Sequence, residues 1–539
     1  MNPPADLTLN HLIMAPVILP ALLAPLILLA MRHDLILQRI ANLAGTVVVT
    51  VAALALFVQS LDGTVQAYEL GAWPAPFGIV LVLDRLSALM VLLTAVIALA
   101  VAVYVVATGW DRRGRHFHAL YQFQIMGLSG AMLTGDAFNL FVFFEILLIA
   151  SYGLMVHGGG AMRLRGGVQY VVYNLAGSTL FLFALGTVYA TLGTLNMADM
   201  ALRAAALPEG DAALLRVAAA LLLAVFLVKG ALIPLHFWLP NTYALAPAPV
   251  AALFAIMTKV GAYAVIRVWT LVFPETLGSA GDIAAAVLIP GGIVTLMVGM
   301  VGILAGGTLG RVAAFAGVGS MGTLFLAVGA FTPQAMAAAI YYLVHSTLAA
   351  AILFLVVDQV RARRGASRLD LRPAMPGSGM VAALYFGAAI AMAGLPPLSG
   401  FVGKLLVLDA LADHPLWVWV WAAVLFGSLL GVVGFARAGS TLFWKSHAVA
   451  AEGADSTPSE ARTAALADQP APGLALGAVG VLLAGTVALT VLAGPAMRLA
   501  EDTADQLFAR TPYVDAVLRP QHRVPLVATD PAPEPVTED

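Results

Sequence analysis

Cysteine is absent from all 539 residues. That excludes disulfides, cysteine-held iron–sulfur clusters and thiolate metal sites. Charge is scarce as well: Asp, Glu, Lys and Arg make up 10% of the chain, against about 25% in an ordinary soluble domain. The charges nearly cancel, at a formal net −2, which argues against nucleic acid as a partner. No G-x-G-x-x-G unit stands between a strand and a helix, so no dinucleotide site is offered. No cofactor, metal or enzymatic site is expected.

What is present is apolar. The chain is 61% hydrophobic, with 51 glycines and a mean hydropathy of +0.94. These values describe an all-α polytopic membrane protein whose glycines allow close helix packing. Spanning takes about 20 apolar residues. Candidate spans lie at 12–30, 40–59, 84–108, 117–134, 138–157, 167–192 and 213–237. Further ones lie at 247–271, 282–304, 310–330, 335–359, 378–411, 416–437 and 474–494, about fourteen in all. The first stretch follows Asp6 and precedes Arg32, the reverse of a cleaved signal, so a retained helix is expected. Residues 64–84 alternate and are rich in turn formers, which predicts a surface hairpin.

Arginine and lysine alternate between loops. Arg32, Arg39, Arg112, Arg113, Arg115, Arg163, Arg165, Arg311, Arg361, Arg363, Arg364, Arg368, Arg372, Arg437 and Lys445 follow odd-numbered spans. Asp62, Glu69, Glu275, Asp282 and Asp413 follow even ones, where Arg203 and Arg216 are exceptions offset by Glu209 and Asp211. The positive-inside rule puts the odd loops in the cytoplasm and both termini outside, in a cell membrane. Residues 446–473 predict a flexible linker before the last helix, and the closing PAPEPVTED a disordered tail.

Four charges sit inside apolar runs: Glu145 in FVFFEILLIASY, Lys229 in FLVKGALIPLHFWLP, Lys259 in FAIMTKVGAYAVI and Lys404 in SGFVGKLLVL. A charge at membrane depth costs about 2.5–3.5 kcal/mol even on a lenient scale, so such residues mark ion paths. Two spans carry breakers beside a lysine. The seventh has Gly230, Pro234 and Pro240 around Lys229 and His236. The twelfth has Gly394, Pro396, Pro397 and Gly400 before Lys404. Broken helices in corresponding positions predict two inverted five-helix repeats with a transport site between them. The expected organisation is an N-terminal part at 1–116, repeats at 117–271 and 282–445, the linker at 446–473, and a last helix with polar tail at 474–539.

His236 and His345 suit proton relay, since an unperturbed imidazole titrates near pH 6.5. Tyr170, Tyr173, Asn174, Thr258, Ser346 and Thr347 are polar neighbours that would either hold water between the charges or bond helix to helix. Arg85 beside Asp84 suggests an orienting pair at a helix entrance.

Three stretches, GDAFNLFVFFEILLIASYGL (135–154), VKGALIPLHFWLPNTYALAPAPVAALFAIMTKVGAYA (228–264) and GLPPLSGFVGKL (394–405), resemble the proton-translocating antiporter-like subunits. Those occur in respiratory complex I, membrane hydrogenases and Mrp-type Na⁺/H⁺ antiporters. FVFFEILLIASYGL, LFWK (442–445) and PYVDAVL (512–518) look most like the D-type branch of the Mrp/Pha/Mnh monovalent cation/proton antiporters. The resemblance covers nearly the whole chain. It implies a central polar axis of Glu145, Lys229, Lys259, His345 and Lys404; the residue chemistry above adds His236, Tyr173, Thr258 and Ser346 in support. Ala349, Ala350 and Ala351 stand where related subunits often carry a further lysine, so the second half would lean on His345 and water. The implied function is proton passage that drives Na⁺ or K⁺ export, with other membrane subunits as partners. The alternative is a proton-pumping subunit of complex I or a membrane hydrogenase, with the redox chemistry in partner chains.

Overall fold

The computed structural model describes residues 11–207, 212–274, 277–448 and 473–518. Each of the fourteen predicted spans has a helical counterpart. The first six are α1 (Ala15–Ala30), α2 (Leu35–Ser60), α3 (Arg85–Thr108), α4 (Phe117–Leu133), α5 (Ala137–Met155) and α6 (Ala161–Leu192). A short amphipathic α7 (Met197–Ala205) follows. The seventh span is split into α8 (Ala212–Gly230) and α9 (Trp238–Leu245), and the eighth into α10 (Ala248–Phe254) and α11 (Met257–Leu271). Then come α12 (Ser279–Ala305), α13 (Leu309–Val328) and α14 (Pro333–Arg364). The twelfth span is split into α15 (Ser378–Ala393) and α16 (Ser399–Ala410), and α17 (Trp417–Gly439) and α18 (Gly473–Val491) complete the set. Among the described residues, eleven helices are long and apolar enough to cross a membrane, and Ala15–Ala30 and Ser378–Ala393 are shorter apolar ones.

Local sequence explains the helix ends. Asp84 caps α3 and closes a capping box with Ser87, and the helix stops at Gly109, whose φ is +68°. Thr332 caps α14, Pro333 takes its first turn, and Gly365 at φ +73° ends it behind Arg361, Arg363 and Arg364. The predicted hairpin is present: β1 (Gln66–Glu69) pairs antiparallel with β2 (Val80–Leu83), with Tyr68 opposite Leu81.

Two expectations need correction. Asp84 does not pair with Arg85. It takes a bidentate ion pair from Arg267 of α11, at 2.5 and 2.9 Å. Arg85 instead reaches the Leu61 carbonyl at 2.9 Å and Asp502 at 3.4 Å. Adjacent residues at a helix start point to different sides, so sequence neighbours rarely meet there. The polar tail is the other correction. Beyond α18 the chain forms α19 (Ala493–Phe508) and α20 (Arg510–Leu518), and α19 packs against α14 and α11. Its buried face is Ala500, Thr503, Ala504 and Leu507, a narrow stripe that a hydropathy window for spans does not detect. The linker at 449–472 and the segment PAPEPVTED lie outside the described residues.

Burial sorts the helices. In α10–α11 the apolar window is 100% buried and in α14 94%, whereas in α2 and α6 it is 33% and in α18 28%. The first group is the core column; the second shows its apolar side to the surroundings. In a cysteine-free background, Ser367→Cys is expected to react with an impermeant thiol reagent only from one side, and exposed Asp413→Cys only from the other. The first side is expected to be the cytoplasm; labelling of both from one side, or with the two sides reversed, would overturn the charge-based orientation.

Candidate functional site

The three buried lysines and the histidine come from four elements of the core. Lys229 ends α8, Lys259 lies in α11, His345 in α14 and Lys404 in α16. Their exposures are 7%, 1%, 0% and 5%. α11 packs on α8 and α13, and α14 on α10, α13 and α16, which brings the four into one connected core.

Lys229 donates to Asn174 Oδ1 of α6 at 2.7 Å and lies 5.9 Å from the Phe144 ring centre. Glu145, half-buried on α5, accepts from the Ser178 hydroxyl of α6. Asn174 and Ser178 are four residues apart, hence on one face of α6. α6 therefore stands between the acid and the base, one polar residue for each. Among the described residues no ion pair joins Glu145 to Lys229. One turn further along the same face, Tyr170 bonds Ser151 of α5 at 2.8 Å. Tyr173 does not join this group. It is 42% exposed, and the contacts to Lys229 and Glu145 are made by Asn174 and Ser178.

The break in the seventh span is satisfied by neighbours, as backbone at membrane depth must be. Trp238 Nε1 donates to the Val228 carbonyl at 2.9 Å, and the Ile233 amide donates to Thr295 of α12 at 3.0 Å. Gly261 of α11 presses on this point. A Cβ there would lie 2.5 Å from the Gly230 nitrogen and 3.0 Å from the Lys229 carbonyl carbon. Only glycine lets α11 come this close, so the lysine and the break are held as one unit. His236 sits in the break, 8% exposed, with Nδ1 lacking a partner.

Lys259 meets no carboxylate among the described residues. Its ammonium contacts Ser320 Oγ at 3.5 Å and Met321 Sδ at 3.4 Å, both on α13. Thr258 turns back to the Ala255 carbonyl at 3.3 Å, at the interruption between α10 and α11. There Tyr243 donates to the Phe254 carbonyl at 2.9 Å, and an inserted side chain of this kind accounts for the interruption. His345 bonds Ser399 through Nδ1 at 2.8 Å, while its Nε2 has no partner. It lies within electrostatic reach of both Lys259 and Lys404. Ser346 and Thr347 bond the Leu343 carbonyl of their own helix, at 3.3 and 2.6 Å, so their hydroxyls do not join the axis directly.

Lys404 donates to the Ala393 carbonyl at 2.7 Å and to Ser428 of α17 at 2.8 Å. Ala393 ends α15, so the ammonium caps the negative end of the broken half-helix. Gly394 makes this possible. Its φ is +81°, and a Cβ would lie 2.6 Å from Lys404 Cδ. Lys229 likewise occupies the last turn of its half-helix. Both breaks thus have a lysine beside them, but only the Lys404 ammonium bonds a helix-end carbonyl; that of Lys229 turns to Asn174.

Sequence reasoning passed over Arg267, Ser178, Ser320, Ser399 and Ser428. Arg267 carried a usable signal, a charge inside the apolar run YAVIRVWTL. The serines carried little, because serine is common in membrane helices and only packing shows which one meets a charge. At the Asp84–Arg267 pair, burial pushes the carboxyl up, but Arg267 and the bonds from Ser87 outweigh it and hold Asp84 below its ordinary value.

Comparison with known proteins gives the family. The family model described as NADH:quinone oxidoreductase/Mrp antiporter, TM, matches residues 134–431. The probable K(+)/H(+) antiporter D-type subunit of Rhizobium meliloti (strain 1021) is 40% identical, over 95% of this chain and 98% of its own length. The Na(+)/H(+) antiporter D-type subunit of Bacillus subtilis (strain 168) is 38% identical, over 74% of this chain and 80% of its own. A chain in the structure of the Mrp complex from Dietzia sp. DQ12-45-1b superposes with a TM-score of 0.82 at 28% identity, covering 95% of this chain and 99% of that one.

Proposed function

Because this chain belongs to the NADH:quinone oxidoreductase/Mrp antiporter membrane family, we propose that it is the D-type subunit of a multisubunit monovalent cation/proton antiporter. In this reading it passes protons along Glu145, Lys229, Lys259, His345 and Lys404, and that passage drives Na⁺ or K⁺ export by the assembly. It works in a cell membrane beside other membrane subunits, with both termini outside. The chain itself is a transporter subunit, not an enzyme.

The observation that carries the proposal is the set of buried ammonium groups held by neutral acceptors. Lys229, Lys259 and Lys404 contact Asn174, Ser320, Met321, Ser428 and one carbonyl. A buried lysine with only neutral partners is expensive to keep charged and easy to neutralise. Such a group gives up and retakes a proton as its surroundings change. Glu145, behind Ser178 and Asn174, is placed to alter those surroundings for Lys229. The halves at 117–271 and 282–445 are read as inverted repeats, each with one broken helix and its lysine. The likeness to D-type antiporter subunits favours the antiporter over the redox-driven pump, since both share the lysines.

The test uses everted vesicles that contain the assembled complex. With an imposed pH gradient as the only energy source, Na⁺ or K⁺ is expected to exchange for protons, and the purified complex is expected to carry no flavin or iron–sulfur cluster. Copurification with an NADH-oxidising arm, and proton pumping on addition of NADH, would establish the redox-driven alternative instead.

A further inference from the structure

Lys259, Tyr263 and Arg267 are spaced four apart on α11, so they form one stripe. From Lys259 to Arg267 the helix rises about 12 Å, close to the roughly 15 Å half-thickness of a bilayer's hydrocarbon. The stripe therefore runs from membrane depth to the surface opposite the arginine-rich loops. It is polar at each step. Tyr263 donates to the Met132 carbonyl of α4 at 2.5 Å, and Arg267 contacts its hydroxyl at 3.5 Å. Ser129, one turn deeper on α4 than Met132, is 1% exposed and has no partner for its hydroxyl inside the protein.

At its outer end the stripe meets a small cavity lined by Asp84, Arg267, Thr270, Gln506, Arg510 and Tyr513. The C-terminal helices close it. Tyr513 of α20 lays its ring 5.2 Å from the Arg267 guanidinium. Gln506 of α19 accepts the Arg85 amide at 2.9 Å and donates to the Gly63 carbonyl at 2.8 Å. Arg510 Nε and Tyr513 Oη are buried without a partner inside the protein. The space is about the size of one water, and Val65, Leu271 and Leu507 also line it, so it is the unpartnered Arg510 and Tyr513 atoms that an ordered water would satisfy. Asp84, Arg267 and Arg510 are the charged groups that line it, and Asp84 pairs with Arg267.

We propose that this stripe and cavity form a proton route between Lys259 and the surface opposite the arginine-rich loops, closed at its mouth by α19 and α20. The inference rests on the proton-passing reading of Lys259. The Lys259 ammonium loses a proton to water. A proton from that water joins Tyr263 Oη as the tyrosine's own proton turns from the Met132 carbonyl and passes to a water on the Arg267 side, so one proton moves and no group changes oxidation state. Arg267 keeps its charge and acts as a positioning residue that orients Asp84 and the water. A static role for Asp84–Arg267 alone would leave the unpartnered Tyr513, Arg510 and Ser129 atoms unexplained.

The test uses the whole complex in proteoliposomes. Tyr263→Phe removes one hydroxyl and keeps the ring. Cation/proton exchange is expected to fall at least about tenfold with normal assembly, as for loss of a proton-transfer group. Exchange near the wild-type rate would overturn the route. A second readout does not depend on transport. Thr270→Cys, in a Tyr513→Ala background that opens the mouth, is expected to react with a small charged methanethiosulfonate only from the side opposite the arginine-rich loops. Absence of that reaction, or reaction from the other side, would also overturn the route. If the unmodified complex exchanged no cation while the Thr270→Cys labelling appeared as expected, the antiporter reading would fail and the water-accessible route would stand.

Discussion

Lys229→Ala is expected to leave an assembled complex that no longer exchanges cations for protons. The fall in rate should be about 100-fold or more, the scale of losing a proton-transfer group. Lys229 is 7% exposed and its side-chain bond is to neutral Asn174. An ammonium kept there costs stability, so removing it should not weaken the fold. Were the lysine half of a structural ion pair, the opposite would hold, because breaking a buried pair costs about 3–5 kcal/mol. Among the described residues no such pair exists at Lys229. Glu145→Ala should silence exchange in the same way, since Ser178 and Asn174 place the acid and the base on one face of α6. The measurement is pH-gradient-driven exchange in everted vesicles, alongside the amount of assembled complex. Near-normal exchange in either variant removes that residue from the proton path; loss of the complex from the membrane makes it a structural tie.

Asp111→Ala should do the reverse, lowering stability before it touches transport. Asp111 lies in the short helical turn Trp110–Arg113, outside the spans, and its side chain is fully buried. Arg39 of α2 grips it with bonds of 2.6 and 2.8 Å, and His118 of α4 stands 3.2 Å away. Removing the carboxylate strands a guanidinium whose side chain is only 17% exposed, so a loss of about 3–5 kcal/mol is expected. Burial pushes this carboxyl up, but Arg39 and His118 prevail and lower it from 3.8 to about 2. A group depressed in the folded state stabilises fully above its unfolded value, and that stability is lost as pH falls through the folded one. The thermal stabilities of wild type and variant should therefore differ at pH 7 and converge as pH drops from about 4 towards 2. A constant gap across that range would show that the carboxylate charge is not what ties α2 to α4.

The spans were legible because twenty-residue apolar runs have few alternatives. Lys229, Lys259 and Lys404 were legible because a charge inside such a run is costly. The two breaks were legible from Gly230, Pro234, Gly394, Pro396 and Pro397, which cannot continue a regular helix unaided. The eighth span's interruption was not, since its cause is the Tyr243 hydroxyl reaching Phe254 from another helix. The tail helices escaped because each buries only a narrow stripe, Ala500, Thr503, Ala504 and Leu507 in one and Tyr513 and Val517 in the other.

Composition and pattern alone thus determined that this chain crosses the membrane many times, where its seventh and twelfth spans are interrupted, and which charges it keeps inside. Those properties follow from single residues and their near neighbours against a hydrocarbon solvent. Tertiary structure alone decided which partner each charge meets. It matched Lys229 with Asn174, Glu145 with Ser178, Lys404 with the end of α15, and Asp84 with Arg267 rather than with adjacent Arg85. These contacts join residues as far as 183 positions apart, and they depend on which face each helix turns to its neighbour. Local spacing constrains that choice but cannot make it.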